Sequence, residues 1–145
     1  MLKGILSISG QSGLFKMVAE SKNNIIVESL DNLKRMPVHS TSKVSALEDI
    51  AIYTENGDVP LRDIFRAISD MENNGLAISP KSSDNELKTY FEKIVPEYDK
   101  DRVYISDIKK VLLWYNTLQQ KEMLDFSDID EENKEIVDEK PESDE

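Results

Sequence analysis

The chain contains no cysteine, which excludes disulfides, thiolate nucleophiles and cysteine-ligated zinc, and suits a reducing compartment. It has a single histidine, His39. One imidazole without a partner assembles neither a nucleophilic triad nor a zinc site, so His39 reads as a surface residue. No run approaches the roughly 20 apolar residues that span a bilayer. The opening MLKGILSISGQSG has too few apolar residues before Ser9 for a signal-peptide core, and the expectation is a soluble cytoplasmic protein without a membrane segment. Aromatic residues are sparse at 7%, and Phe15 and Tyr53 are the only ones before position 59, too few to cage a methylated cation.

Motifs that carry chemistry are missing in the same way. Gly13 closes SGQSG but is followed by Leu14, whereas a phosphate cradle needs Lys and then Ser or Thr; a tight turn is the reading. Asp99, Asp101 and Asp107 in YDKDRVYISD are spaced like part of a calcium loop. Counted from Asp99, however, the glycine position holds Tyr104 and the closing glutamate position holds Lys110, which leaves a metal-free turn. No catalytic residue, metal ligand or cofactor is expected, and the chain reads as a non-enzyme.

The charge that is present is unevenly placed. Of the formal net charge of −11, residues 125–145 carry −9, from 11 acidic residues and two lysines. The body before them is nearly neutral and lacks the basic footprint of a nucleic-acid binder. In the tail, Phe126, Ile129, Ile136 and Val137 are scattered among like charges. They cannot bury enough surface to offset chain entropy, so disorder is expected beyond Asp130, with one docked turn around Phe126.

Residues 13–40 organise the rest. Phe15, Met17 and Ala19, then Ile25 and Val27, then Met36 and Val38 alternate with polar residues, and SKNN and SLDN separate the runs. Period two puts each set on one face, predicting a three-stranded antiparallel meander. Leu2, Ile5 and Leu6 fit either a helix or a strand, and a helical turn is expected. SKVSALED predicts a single helical turn, IAIYT (Ile50 to Thr54) a fourth strand, and Asn56-Gly57 a hairpin turn, with a short fifth strand around Val59 or from the N-terminal residues. Such short, bent strands predict a small Tudor-like, Src-homology-3-type antiparallel β-barrel, with an open meander covered by a helix as the alternative.

Three amphipathic helices follow. Pro60 opens the first, whose stripe is Leu61, Ile64, Phe65, Ile68 and Met71, and Gly75 is expected to cap it in the left-handed conformation. Ser83 to Glu86 is a capping box before the stripe Leu87, Tyr90, Phe91, Ile94 and Val95, which Pro96 ends. After a brief extended Val103 to Ile105, Ile108, Val111, Leu112, Tyr115 and Leu118 form the third stripe. The organisation is α+β: a barrel over residues 1–59, a helix over 60–75, a linker over 76–83, a helical domain over 84–124 and an acidic, largely disordered tail over 125–145. Trp114 falls at the edge of the third stripe beside Lys110 and Lys121. An indole flanked by lysine stems either packs against the other half or anchors a partner, and these three residues are the candidate partner-binding set.

The segments GLFKMV, NIIVESLD, KVSALEDIAIYT, VPLRDIF and DNELKTYFEKIVPEYDKDRVYISDIKKVLLWYN, with the acidic end, resemble an uncharacterised bacterial domain-of-unknown-function family over nearly the whole chain. The resemblance implies a Tudor-like barrel followed by a helical domain in a cytoplasmic protein, and it implies no activity. The functional expectation is a non-enzymatic protein-interaction or adaptor module with an unidentified protein partner. The alternative is a nucleic-acid-associated regulator whose acidic tail is autoinhibitory. An exposed strand edge or the Trp114 face also offers a route to a homodimer.

Overall fold

The computed structural model describes residues 2–11, 13–39 and 42–126, so the expectation of disorder beyond Asp130 lies outside the described residues. The chain opens with β1 (Ile5–Ile8), not with a helical turn. Ile5 faces one cluster of buried side chains, whereas Leu6 and Ile8 face another. A strand covered on both faces shows no alternation, which is why its four residues also fitted a helix.

The meander forms as expected from β2 (Phe15–Glu20), β3 (Asn24–Ser29) and β4 (Arg35–His39), with Phe15 opposite Ser29 and Ile25 opposite Val38. A register shift between Met17 and Ala19 breaks the alternation of β2, so of its three apolar positions only Phe15 is buried. Gly13 enters β2 at φ +85, a conformation that demands glycine; a Cβ there would stand 2.6 Å from the Asp31 carboxylate, an exposed side chain that can turn away. Between Val44 and Asp49 the expected helical turn is half strand: β5 (Val44–Ala46) pairs with β1, and a 3-10 turn, Leu47–Asp49, follows.

The five-stranded sheet has the order β4-β3-β2-β1-β5. It is open, and no closed barrel forms among the described residues, which corrects the Tudor-like expectation. The strand needed for closure is used elsewhere. β6 (Ala51–Thr54) pairs with β7 (Gly57–Pro60) in a separate hairpin that turns through Glu55 and Asn56, one residue earlier than the expected Asn56-Gly57, with Gly57 at φ 121 opening β7. Met17 N–H and Ser9 N–H still cross-link neighbouring strands, to Gly4 and Lys43 carbonyls, and Leu6, Ile8, Phe15, Val27 and Val38 of the sheet form a small core of their own.

Helices α1 (Leu61–Met71), α2 (Asp84–Ile94) and α3 (Ile105–Gln120) follow. Pro60 sits at the N-cap of α1, ending β7 in the same residue. At its other end Asn73 and Asn74, at φ 53 and 66, take the left-handed positions expected of Gly75, as asparagine can. Met71 is exposed, whereas Leu61, Ile64, Phe65 and Ile68 are fully buried. α3 begins at Ile105, inside the stretch expected to be extended, and the Asp107 carboxylate accepts the Tyr104 N–H at 2.9 Å. The expected docked turn near Phe126 is represented by its ring, which packs against the core with the Arg66 guanidinium 5.4 Å from its centre.

Before α2, Ser83 Oγ accepts the Glu86 N–H at 3.3 Å, the serine half of the capping box read from the sequence, and donates to the Glu86 carboxylate at 2.9 Å, which thus meets the hydroxyl and not the Ser83 N–H. Ser83→Ala is expected to cost about 1 kcal/mol. Thermal unfolding should register it as a fall of about 2–4 °C in Tm, and an unchanged midpoint would show the cap to be redundant.

A second, larger core joins the sheet half to the helices. Leu2, Ile5, Leu14, Leu30 and Leu47 from the sheet half meet Phe65, Phe91 and Tyr115 from the helices in a single buried cluster. Leu47, on the turn between the sheet and the hairpin, is fully buried within it.

Candidate interaction site

The site is built on the free edge of β6. The Leu61 N–H donates to the Ile50 carbonyl at 3.0 Å, so pairs alternating from there, Ile52 with Val59 and Thr54 with Gly57, exchange the hairpin hydrogen bonds. The main-chain groups of Ala51 and Tyr53 therefore point away from β7. On that side the segment after α2 begins a second ladder: Glu55 N–H donates to the Glu97 carbonyl and Asp99 N–H to the Tyr53 carbonyl, both at 2.9 Å. The ladder then stops. The Asp99 carbonyl, which would take the Tyr53 N–H, instead accepts the Arg102 and Val103 N–H groups of a turn. Among the described residues, the Tyr53 N–H and both main-chain groups of Ala51 have no main-chain partner.

α3 runs beside this edge and leaves a groove of about 150 Å³ between them. Residues 50–53 form one wall; Val103, Val111 and Trp114 form the apolar other side, with Arg102, Asp107 and Lys110 at the rim. Tyr53 is 44% exposed, and the Arg102 guanidinium lies 4.2 Å from the centre of its ring. Arg102 Nε also donates to the Asp99 carboxylate at 2.8 Å. That hydrogen bond, assisted by the Asp101 N–H at 3.0 Å, holds the Asp99 carboxyl below the usual carboxylate range. The interaction is therefore complete above the ordinary carboxylate range and is lost as pH falls through the depressed value. Acid titration followed on the Tyr53 ring resonances is expected to show this late midpoint, and Asp99→Asn to abolish it; a midpoint in the ordinary aspartate range would separate Arg102 from Asp99.

Of the three residues singled out in the sequence, Trp114 is only 8% exposed and forms part of the groove wall, and Lys110 stands exposed at its rim. Lys121 follows the end of α3, about 10 Å along the axis from Trp114 at 1.5 Å per residue, and does not line the groove. Lys110 has no acidic partner within ion-pair distance among the described residues. Tyr53, Arg102 and the β6 edge were not singled out in the sequence, because the contact between residues 53 and 99 is set by tertiary pairing. No local signal in the sequence joins Tyr53 to Arg102, which stand in separate segments of the chain.

Elsewhere α3 clamps the stretch between α1 and α2. The Tyr115 hydroxyl donates to the Gly75 carbonyl at 2.7 Å, Asn116 Oδ1 accepts the Ala77 N–H at 2.8 Å, and Gln119 Nε2 donates to the Asn74 carbonyl at 3.0 Å. Beside it, burial and a hydrogen bond to Glu72 raise the Tyr90 phenol above the ordinary tyrosine range. His39 is exposed at the end of β4. Among the described residues no group of three or more His, Asp or Glu side chains is placed to hold a metal ion. No described helix is long and apolar enough to cross a membrane.

An open antiparallel sheet, a hairpin and three helices around a shared core define an α+β protein in two consecutive sequence units. The chain belongs to a family in which these units are domains of unknown function: residues 2–47 match DUF5606 and residues 50–118 match DUF6852. It is similar to a protein from Bacteroides vulgatus, a Northeast Structural Genomics Consortium target solved by solution NMR. The two are 43% identical, with a TM-score of 0.72, over 87% of this chain and 91% of that one. No curated protein matches.

Proposed function

We propose that this chain is a non-enzymatic protein-interaction module of the cytoplasm that docks a protein partner in the groove between β6 and α3. The observation that carries the reading is the groove. It collects an apolar wall, main-chain hydrogen-bonding groups and a cation that have no partner among the described residues, on rigid elements, the combination that binding sites use. Buried Trp114 then serves as the wall against which a partner packs, and exposed Tyr53 as an anchor at the rim.

The test is partner recovery from native cytosol at physiological salt, with the full chain and with a Tyr53→Ala, Lys110→Glu variant. Both substitutions fall on exposed side chains, so folding should survive them. A specific protein retained by the natural chain and released by the variant is the expected result. Failure to retain any specific protein, or equal retention by both, would defeat the reading.

A further inference from the structure

Resting on that reading, we propose that the groove takes its partner as an added β-strand: an extended peptide segment that carries an aliphatic side chain next to carboxylates. The first argument comes from the other edges. On β4, the Ser29 N–H to Lys34 carbonyl bond fixes the alternation, and Pro37, opposite Ile26, falls at an outward position where it offers no donor. On β7, Pro60, opposite Ala51, does the same. The outer edge of β5 is only three residues long. Proline and shortness are the devices by which proteins blunt sheet edges against unwanted pairing. The open side of β6 is as short, residues 51–53, but it carries no proline and its Ala51 and Tyr53 main-chain groups face the groove.

The second argument is the interrupted ladder. Residues 97–99 already pair with β6 in the antiparallel sense through Thr54 and Tyr98, and the pairing ends because the chain turns, not because β6 runs out of groups. An incoming strand would continue along Ala51, where both main-chain groups are open, while the position opposite Tyr53 stays with Asp99. Alternate side chains of such a strand face opposite ways. One would enter the apolar space by Val111 and Trp114, and its neighbours would reach the rim. There the Asp107 carboxylate accepts the Tyr104 N–H and keeps its negative charge, and Arg102 is paired with Asp99; Lys110 is the rim cation with no ion-pair partner among the described residues. A carboxylate answers it. Main-chain bonds then supply affinity while the aliphatic contact and Lys110 supply selectivity.

Trp114, the only tryptophan, stands in the wall and reports occupancy. The full chain is titrated with a blocked hexapeptide, Glu-Glu-Ile-Val-Glu-Glu, followed by Trp114 fluorescence and by backbone amide resonances. Saturable binding that moves Ala51, Tyr53 and Trp114 is expected. Ala51→Pro removes an outward donor without touching a hairpin bond and should weaken binding about tenfold. Lys110→Glu should weaken the acidic probe and admit its lysine counterpart, Lys-Lys-Ile-Val-Lys-Lys; being an exposed change, it decides the matter if the proline disturbs the hairpin. Groove binding that is indifferent to both substitutions overturns strand addition and leaves the docking reading standing. Absence of any shift at the groove overturns the inference, while partner recovery judges the docking reading separately. If the chain ending at residue 126 binds the probe much more tightly than the full chain, residues 127–145 are the occupant and an outside partner is overturned.

Discussion

Replacing Tyr115 with alanine is expected to destabilise the protein by about 3–5 kcal/mol, among the largest losses a single change can produce here. The side chain is fully buried and its ring lies 6.0 Å from that of Phe65 at 59°. Truncation would leave a cavity where α1, α3 and the connecting stretch meet, and would also strip the hydroxyl from the Gly75 carbonyl. Tyr115→Phe separates the two effects. It keeps the ring and removes only the hydrogen bond, at about 1–2 kcal/mol. Denaturant unfolding of the two variants measures the difference; equal losses would mean that the hydroxyl, not the packing, holds α3 to residues 74–77.

Leu47→Ala is expected to cost about 2–5 kcal/mol and to weaken the sheet and the helices together. Leu47 belongs to neither the sheet nor a long helix, yet it is fully buried where Leu2, Ile5 and Leu14 meet the helical side chains. If that shared core makes one cooperative unit, Trp114 fluorescence and the amide exchange of β3 should report the same loss in natural and variant chains. Sheet amides that keep their protection after Trp114 has lost its environment would show two independent units. The match boundary between residues 47 and 50 falls beside this turn, so the two sequence units meet where the core is continuous.

Where a single face is buried, the sequence was legible. Alternation placed β3 and β4, the 3.6-residue stripes placed all three helices, and the Ser83 cap marked the start of α2 to the residue. The failures have physical causes. β1 is covered on both faces, so it has no period to read, and Met17 is turned outward by a register shift in β2. The barrel expectation failed because IAIYT has strand character but nothing in it names its partner; β7 and residues 97–99 took it, through contacts set by the whole fold. The site was half legible for the same reason. Helical geometry put Lys110 beside Trp114 at the edge of the stripe, but the open side of β6 exists only because the chain turns at Asp99. Asn116 and Gln119, which clamp residues 74–77, looked like ordinary polar positions on a helix.

The central claim is that the surface between β6 and α3 is where this protein meets another. The measurement that tests it most directly is the amide and indole NMR spectrum of the isotope-labelled full chain added to native cytosolic extract. The account predicts changes concentrated on residues 51–53, on 102–111 and on the Trp114 indole, reversed by Lys110→Glu. Changes confined to β4 or to the α1–α2 surface, with the groove signals unmoved, would contradict it.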